Sequence, residues 1–98
     1  MSVRARRILT VKYAPEVSFN LYGDQKLVEF LEHENDLGFY RQTNDNGGGV
    51  VTVGIEALQK AIDQAKELEL DDDTVKVLRE DIAAAQADNV ESVDYDCF

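Results

Sequence analysis

The chain has 98 residues, of which 44% are hydrophobic and 31% charged, and a formal net charge of −10. That length organises one hydrophobic core in one domain, residues 1–98, and the composition is globular rather than disordered. A single cysteine, Cys97, excludes an intrachain disulfide, and no run approaches the roughly 18 apolar residues of a membrane-spanning helix. Arg4, Arg6 and Arg7 are followed by Thr10, Lys12 and Glu16, which interrupt any apolar targeting segment, so a cytoplasmic location is expected.

The charge is unevenly placed. Residues 1–53 hold 6 Lys/Arg against 7 Asp/Glu, whereas residues 54–98 hold 4 against 13, so the second half carries −9. Such a half repels backbone phosphates, which argues against direct nucleic-acid binding and for a basic partner.

In chain order, residues 6–13 alternate Leu9, Val11 and Tyr13 against Thr10 and Lys12, and Ala14-Pro15 ends the run. Residues 16–22 alternate Val17, Phe19 and Leu21 against Ser18 and Asn20. Period two predicts half-buried strands, either a hairpin or one strand bent at the proline. Asp24 is a candidate N-cap for a short helix over 25–35, where Leu27, Val28, Phe30 and Leu31 supply the apolar face. Residues 37–42 and 50–53 are rich in aromatic and β-branched side chains and are predicted strands on either side of a glycine loop.

From Gly54 the period becomes helical, with Ile55, Leu58, Ala61, Ile62, Ala65 and Leu68 on one face. A second helix follows Asp71-Asp72-Asp73, with Asp72 or Asp73 as its cap, Val75, Leu78, Ile82 and Ala85 inward, and Asn89 as its stop. Residues 90–98 alternate again, Val93, Tyr95 and Cys97 against Ser92, Asp94 and Asp96, and are expected at a sheet edge. The expected class is α+β, a mostly antiparallel sheet with helices on one face. The order is β-β-α-β-β-α-α-β, or a ferredoxin-like βαββαβ sandwich if the first two strands are one.

The stretch Thr43 to Val51, TNDNGGGVV, has three consecutive glycines, and three ligand chemistries fail on it. A phosphate loop needs Lys and Ser or Thr where Ile55 and Glu56 stand. A dinucleotide fingerprint lacks its third glycine, because Thr52 occupies that place. A calcium loop needs a bidentate glutamate where Val53 falls. A hairpin loop with a mobile tip is the remaining expectation.

Catalytic groups are sparse. His33 has Glu29 one helical turn away but no third metal ligand near it, and its neighbours Glu32 and Glu34 mark an exposed acidic surface. Cys97 stands beside Asp96, whose charge raises a thiol pKa rather than activating the sulfur. Ser2, Ser18 and Ser92 lie in no nucleophile motif. The chain is therefore expected to be no enzyme, with no cofactor and no metal, unless a deep pocket brings two carboxylates together.

Glu67, Glu69, Asp71, Asp72 and Asp73 form the densest charge run, more than helix capping requires. Asp94 and Asp96 on one strand face would stand about 6.7 Å apart and extend that run into a row resembling a nucleic-acid backbone. These seven residues are the predicted partner-binding set. The expected function is an acidic interaction protein that binds a basic surface of a protein partner, in one form an inhibitor imitating nucleic-acid charge. A small ligand-binding or oligomerisation domain is the alternative, and a homodimer through the terminal strand is part of the same expectation.

Overall fold

The structure is a computed structural model that describes residues 4–7, 18–21, 23–43 and 48–97. Its elements are strand β1 (Arg4–Arg7), strand β2 (Phe19–Asn20), helix α1 (Gln25–Glu34), a 3-10 turn (Tyr40–Gln42), strand β3 (Gly49–Gly54), helix α2 (Ile55–Asp63), helix α3 (Asp72–Ala87) and strand β4 (Ser92–Cys97). The class is α+β, with three antiparallel strands and the two-residue β2 in the order β2-β1-β4-β3. No described helix is long and apolar enough to cross a membrane.

Alternation decides which face of the sheet is closed. Val51 and Val53 of β3 and Val93, Tyr95 and Cys97 of β4 are buried, whereas Val50 and Asp94 are exposed. Helices α2 and α3 cover the closed face through Leu58, Ala61, Ile62, Leu78, Ile82 and Ala85, and α1 adds Leu27, Val28 and Leu31. Burying one stripe per helix and one face per sheet is what the two sequence periods require.

Four expectations need correction. First, β4 is not at an edge: it pairs with β1 through Arg7↔Tyr95 and with β3 through Val51↔Tyr95, so it lies inside the sheet. A strand with three fully buried inward side chains gains most from neighbours on both sides, and Asp94 and Asp96 therefore protect no edge. Second, residues 37–42 are not a strand. The Glu32 carboxylate accepts the backbone N–H groups of Phe39 (3.0 Å) and Arg41 (3.2 Å), which folds the chain back into the 3-10 turn. The described elements thus lack the strand that either the eight-element order or a ferredoxin-like order needs between α1 and β3, so residues 37–42 and β3 are not the two strands of a hairpin; residues 44–47 of the glycine stretch lie outside the described set. Third, β1 starts at Arg4 rather than at residue 6, and it pairs antiparallel with β2 through Ala5↔Phe19, which agrees with the hairpin alternative and not with one bent strand; residues 8–17 lie outside the described set.

Fourth, the caps differ. Asp71, not Asp72 or Asp73, caps α3 by accepting the Thr74 N–H at 2.7 Å. Asp24 occupies the N-cap position of α1, yet its side chain makes no capping hydrogen bond. The helical face predicted to run to Leu68 leaves regular helix at Asp63, and a turn ends it at Glu69.

That turn and the end of α3 are built alike. Glu69 (φ 57°) and Asn89 (φ 58°) are both left-handed. After each, an N–H reaches back five residues, Leu70 to the Ala65 carbonyl (2.9 Å) and Val90 to the Ala85 carbonyl (3.0 Å), closing a Schellman-type end. Asn89 suits that backbone, as the sequence indicated, and Glu69 does not. Glu69→Gly is expected to stabilise the fold by about 1 kcal/mol, because glycine has no Cβ to clash in the left-handed region. Asn89→Ala is expected to destabilise it by a comparable amount. Urea denaturation of both variants measures the two shifts, which have opposite sign.

Candidate functional site

The predicted partner-binding residues fall into two groups. Glu67, Glu69, Asp71, Asp72 and Asp73 are all exposed, in the connection between α2 and α3 and the first turn of α3. Glu69 meets Lys26 at 3.1 Å, and Asp71 is held by its capping bond, which pulls its carboxyl below the usual range. Glu67, Asp72 and Asp73 have no ion pair among the described residues.

Asp94 and Asp96 lie on the face of the sheet opposite the helices. Asp94 is exposed and accepts the Thr52 hydroxyl at 2.6 Å; Asp96 is half-buried and stands opposite Arg6 in the β1–β4 register. Their neighbour Tyr95 points the other way and reaches α3. The helix layer, with the 67–73 connection at its end, is therefore on the far side of the sheet from Asp94. The structure brings residues 67–73 together and keeps Asp94 and Asp96 apart from them, so no single row of seven charges forms.

Three polar features were not visible as sites in the sequence. The first is Asp81, a carboxylate of α3 with 4% exposure inside the core. It accepts the Ser18 hydroxyl at 2.8 Å and the Tyr95 hydroxyl at 2.9 Å, tying β4 and the residue before β2 to α3. A buried carboxylate is costly unless its lone pairs are filled, which explains why Ser18 is buried although period two placed it outward. Only the interruption of the apolar α3 face between Leu78 and Ile82 hinted at it.

The second is an open depression of about 480 Å³ at one end of the molecule, where Glu34, Asp36, Glu56, Glu91 and Lys60 converge on the start of α2. Its four carboxylates are all exposed. Lys60 answers two of them, Glu34 at 3.5 Å and Glu56 at 4.0 Å.

The third is the segment 35–43, anchored by Glu32. Besides its two backbone bonds, Glu32 receives Arg41 Nε at 2.7 Å, and these donors, Phe39 N–H foremost, hold its carboxyl below the usual range. Gly38 (φ +71°) sits against the Arg41 and Glu32 side chains, where a Cβ would collide.

His33 is exposed, and no group of three metal-ligating side chains occurs among the described residues. Burial first, and then the Asp96 charge, push the Cys97 thiol up to about 12, so at neutral pH it stays protonated and unreactive. Comparisons with protein-family models, with curated proteins and with solved structures return no match.

Two outcomes follow from the polar anchors. Tyr95→Phe keeps the edge-on contact with Phe19 (centroids 5.1 Å apart) but removes a donor from Asp81, and is expected to cost about 1–3 kcal/mol in chemical denaturation. Because the folded state lowers the Glu32 pKa, its stabilisation is present above the ordinary glutamate range and is lost as pH falls through the lowered value. Thermal melting followed from neutral to acid pH is expected to show a smaller loss in Glu32→Gln than in the parent.

Proposed function

We infer that the chain is a non-catalytic interaction protein that uses exposed carboxylates to engage a basic surface on another protein. The observation that carries this reading is the set Glu67, Asp72 and Asp73, three exposed carboxylates within seven residues and without an ion pair among the described residues. They lie in the half of the chain that carries −9 of the −10 net charge. Glu69, Asp71 and the first turn of α3 extend the patch, and Asp94 and Asp96 offer a second, separate one on the sheet face opposite the helices.

The mechanism is electrostatic attraction followed by occlusion. A negative patch steers a basic partner into encounter and speeds association more than it adds final affinity. The inhibitor form of the reading, in which the patch stands in for nucleic-acid phosphates in a basic groove, rests on residues 67–73 alone, since the sheet separates Asp94 and Asp96 from them. Neither form needs a cofactor or a metal, and a cytoplasmic setting suits both. The alternative, a small-ligand domain, has one favouring observation, the open depression lined by Glu34, Asp36, Glu56, Glu91 and Lys60, in which Lys60 already pairs with Glu34 and Glu56.

The test is an affinity capture from the host at low salt, identification of the bound protein, and then stopped-flow association of the purified pair. Changing Asp71, Asp72 and Asp73 to Asn is expected to slow association by about tenfold or more, and the parent rate is expected to fall steeply with salt, since exposed charges are screened beyond about 8 Å at physiological ionic strength. Asn at position 71 retains a capping side chain, so the fold is expected to persist. An unchanged rate with unchanged salt dependence would reduce the charge to a solubility feature.

A further inference from the structure

Among the described residues strand β3 is an edge of the sheet, and its sequence, Gly49-Val-Val-Thr-Val-Gly54, contains neither charge nor proline. Edge strands are usually kept from pairing with other chains by charged residues, proline or a bulge. This one has no such residue, and its β-branched run would pair readily.

What it has instead is a pair of side-chain amides. Gln42 accepts the Thr52 N–H on Oε1 at 2.9 Å and donates from Nε2 to the Thr52 carbonyl at 2.9 Å. That two-way exchange with one residue is the pattern of a hydrogen-bonded pair in an antiparallel ladder. Asn35 continues it, accepting the Gly54 N–H on Oδ1 at 3.0 Å and donating to the Thr52 carbonyl at 2.9 Å. Both amides also donate to the Gly38 carbonyl, at 2.9 Å from Gln42 and 2.7 Å from Asn35. Two side chains thus fill the outward hydrogen-bonding groups of Thr52 and the Gly54 N–H. They are held in place by Asn35 at the end of α1, by the buried Phe39 and by the Glu32–Arg41 pair.

We propose that segment 35–43 is an edge guard: the amides of Gln42 and Asn35 occupy the groups on β3 that would otherwise pair with β3 of a second copy of this chain. A second copy is the fitting occupant because Thr52 lies between two outward residues, Val50 and Gly54. Two β3 strands set antiparallel about Thr52 satisfy each other symmetrically, extending the sheet across a twofold axis. With the guard in place, only Val50, 53% exposed, presents outward backbone groups to which no guard residue is bonded, and one residue is too little to hold a strand. Releasing Gln42 frees the Thr52 N–H, and releasing Asn35 as well frees the Thr52 carbonyl and the Gly54 N–H, so that the open edge runs from Val50 to Gly54. The guard is a conformational switch for self-association, independent of the acidic surface.

The experiment is sedimentation of the parent, the double variant N35A/Q42A and the triple variant N35A/Q42A/T52K over a range of concentrations, with circular dichroism confirming the fold. The parent is expected to keep one mass, N35A/Q42A to form a species of twice that mass, and N35A/Q42A/T52K to return to the parent's mass, because lysines would face each other across the twofold axis. A folded N35A/Q42A at the parent's mass, or a triple variant that still pairs, would overturn the proposal. Hydrogen exchange in the parent decides the matter should N35A/Q42A not fold. The Thr52 and Gly54 amides are expected to exchange at least about tenfold more slowly than that of Val50, and equal rates would overturn the guard.

Discussion

The hydrogen bond from the Tyr95 hydroxyl to the Asp81 carboxylate is the contact on which the arrangement of layers depends. Tyr95 is fully buried on the strand that lies inside the sheet, and Asp81 is on the helix that lies over it. Their bond sets which turn of α3 lies against which residue of β4. Ser18 joins from beside β2, and Phe19 packs edge-on against the Tyr95 ring, so the start of β2 meets the consecutive elements α3 and β4 at one carboxylate. An apolar core specifies that surfaces meet; a buried carboxylate with directed donors specifies how they meet, since any other alignment leaves it unsatisfied.

This inward use of one carboxylate contrasts with the outward use of the others. The core is closed by aliphatic side chains, the single cysteine is buried and protonated, and the carboxylates of the depression at the start of α2 face solvent. The chemistry left to the surface is charge. Glu32 and Asp71 spend theirs on the fold, one anchoring a segment and the other capping a helix. Glu67, Asp72 and Asp73 make no such bond; Asp72 and Asp73 favour the start of α3 through the helix dipole, yet all three keep their charge exposed and without an ion pair among the described residues.

The sequence made the elements with strong periods legible. Leu27, Val28 and Leu31, Leu58 and Ile62, and Leu78, Ile82 and Ala85 are inward as the helical period required, and Val93, Tyr95 and Cys97 as period two required. Misreadings occurred where tertiary contacts outweighed local preference. Leu37 to Gln42 has strand-like composition, but Glu32, from the preceding helix, bonds its backbone and turns it. Residues 92–97 carry charges typical of an edge, yet the pairing of both neighbours puts them inside the sheet. Asp81 carries no local signal of its burial beyond its place between Leu78 and Ile82, because its donors come from 63 residues before it and 14 after it. The seven candidate site residues were legible as charge, but their separation by the sheet follows from topology, which no local pattern encodes.

The carboxylates of residues 67–73 are the proposed capture surface for a basic partner. An NMR titration of the isotope-labelled protein with an oligo-arginine peptide, at low and then at physiological salt, tests this proposal. Shifts are expected to concentrate in residues 67–73 and the first turn of α3 and to fade as salt rises. Shifts confined to the depression around Glu34, Asp36, Glu56 and Glu91, or spread evenly over every exposed acid, would contradict it.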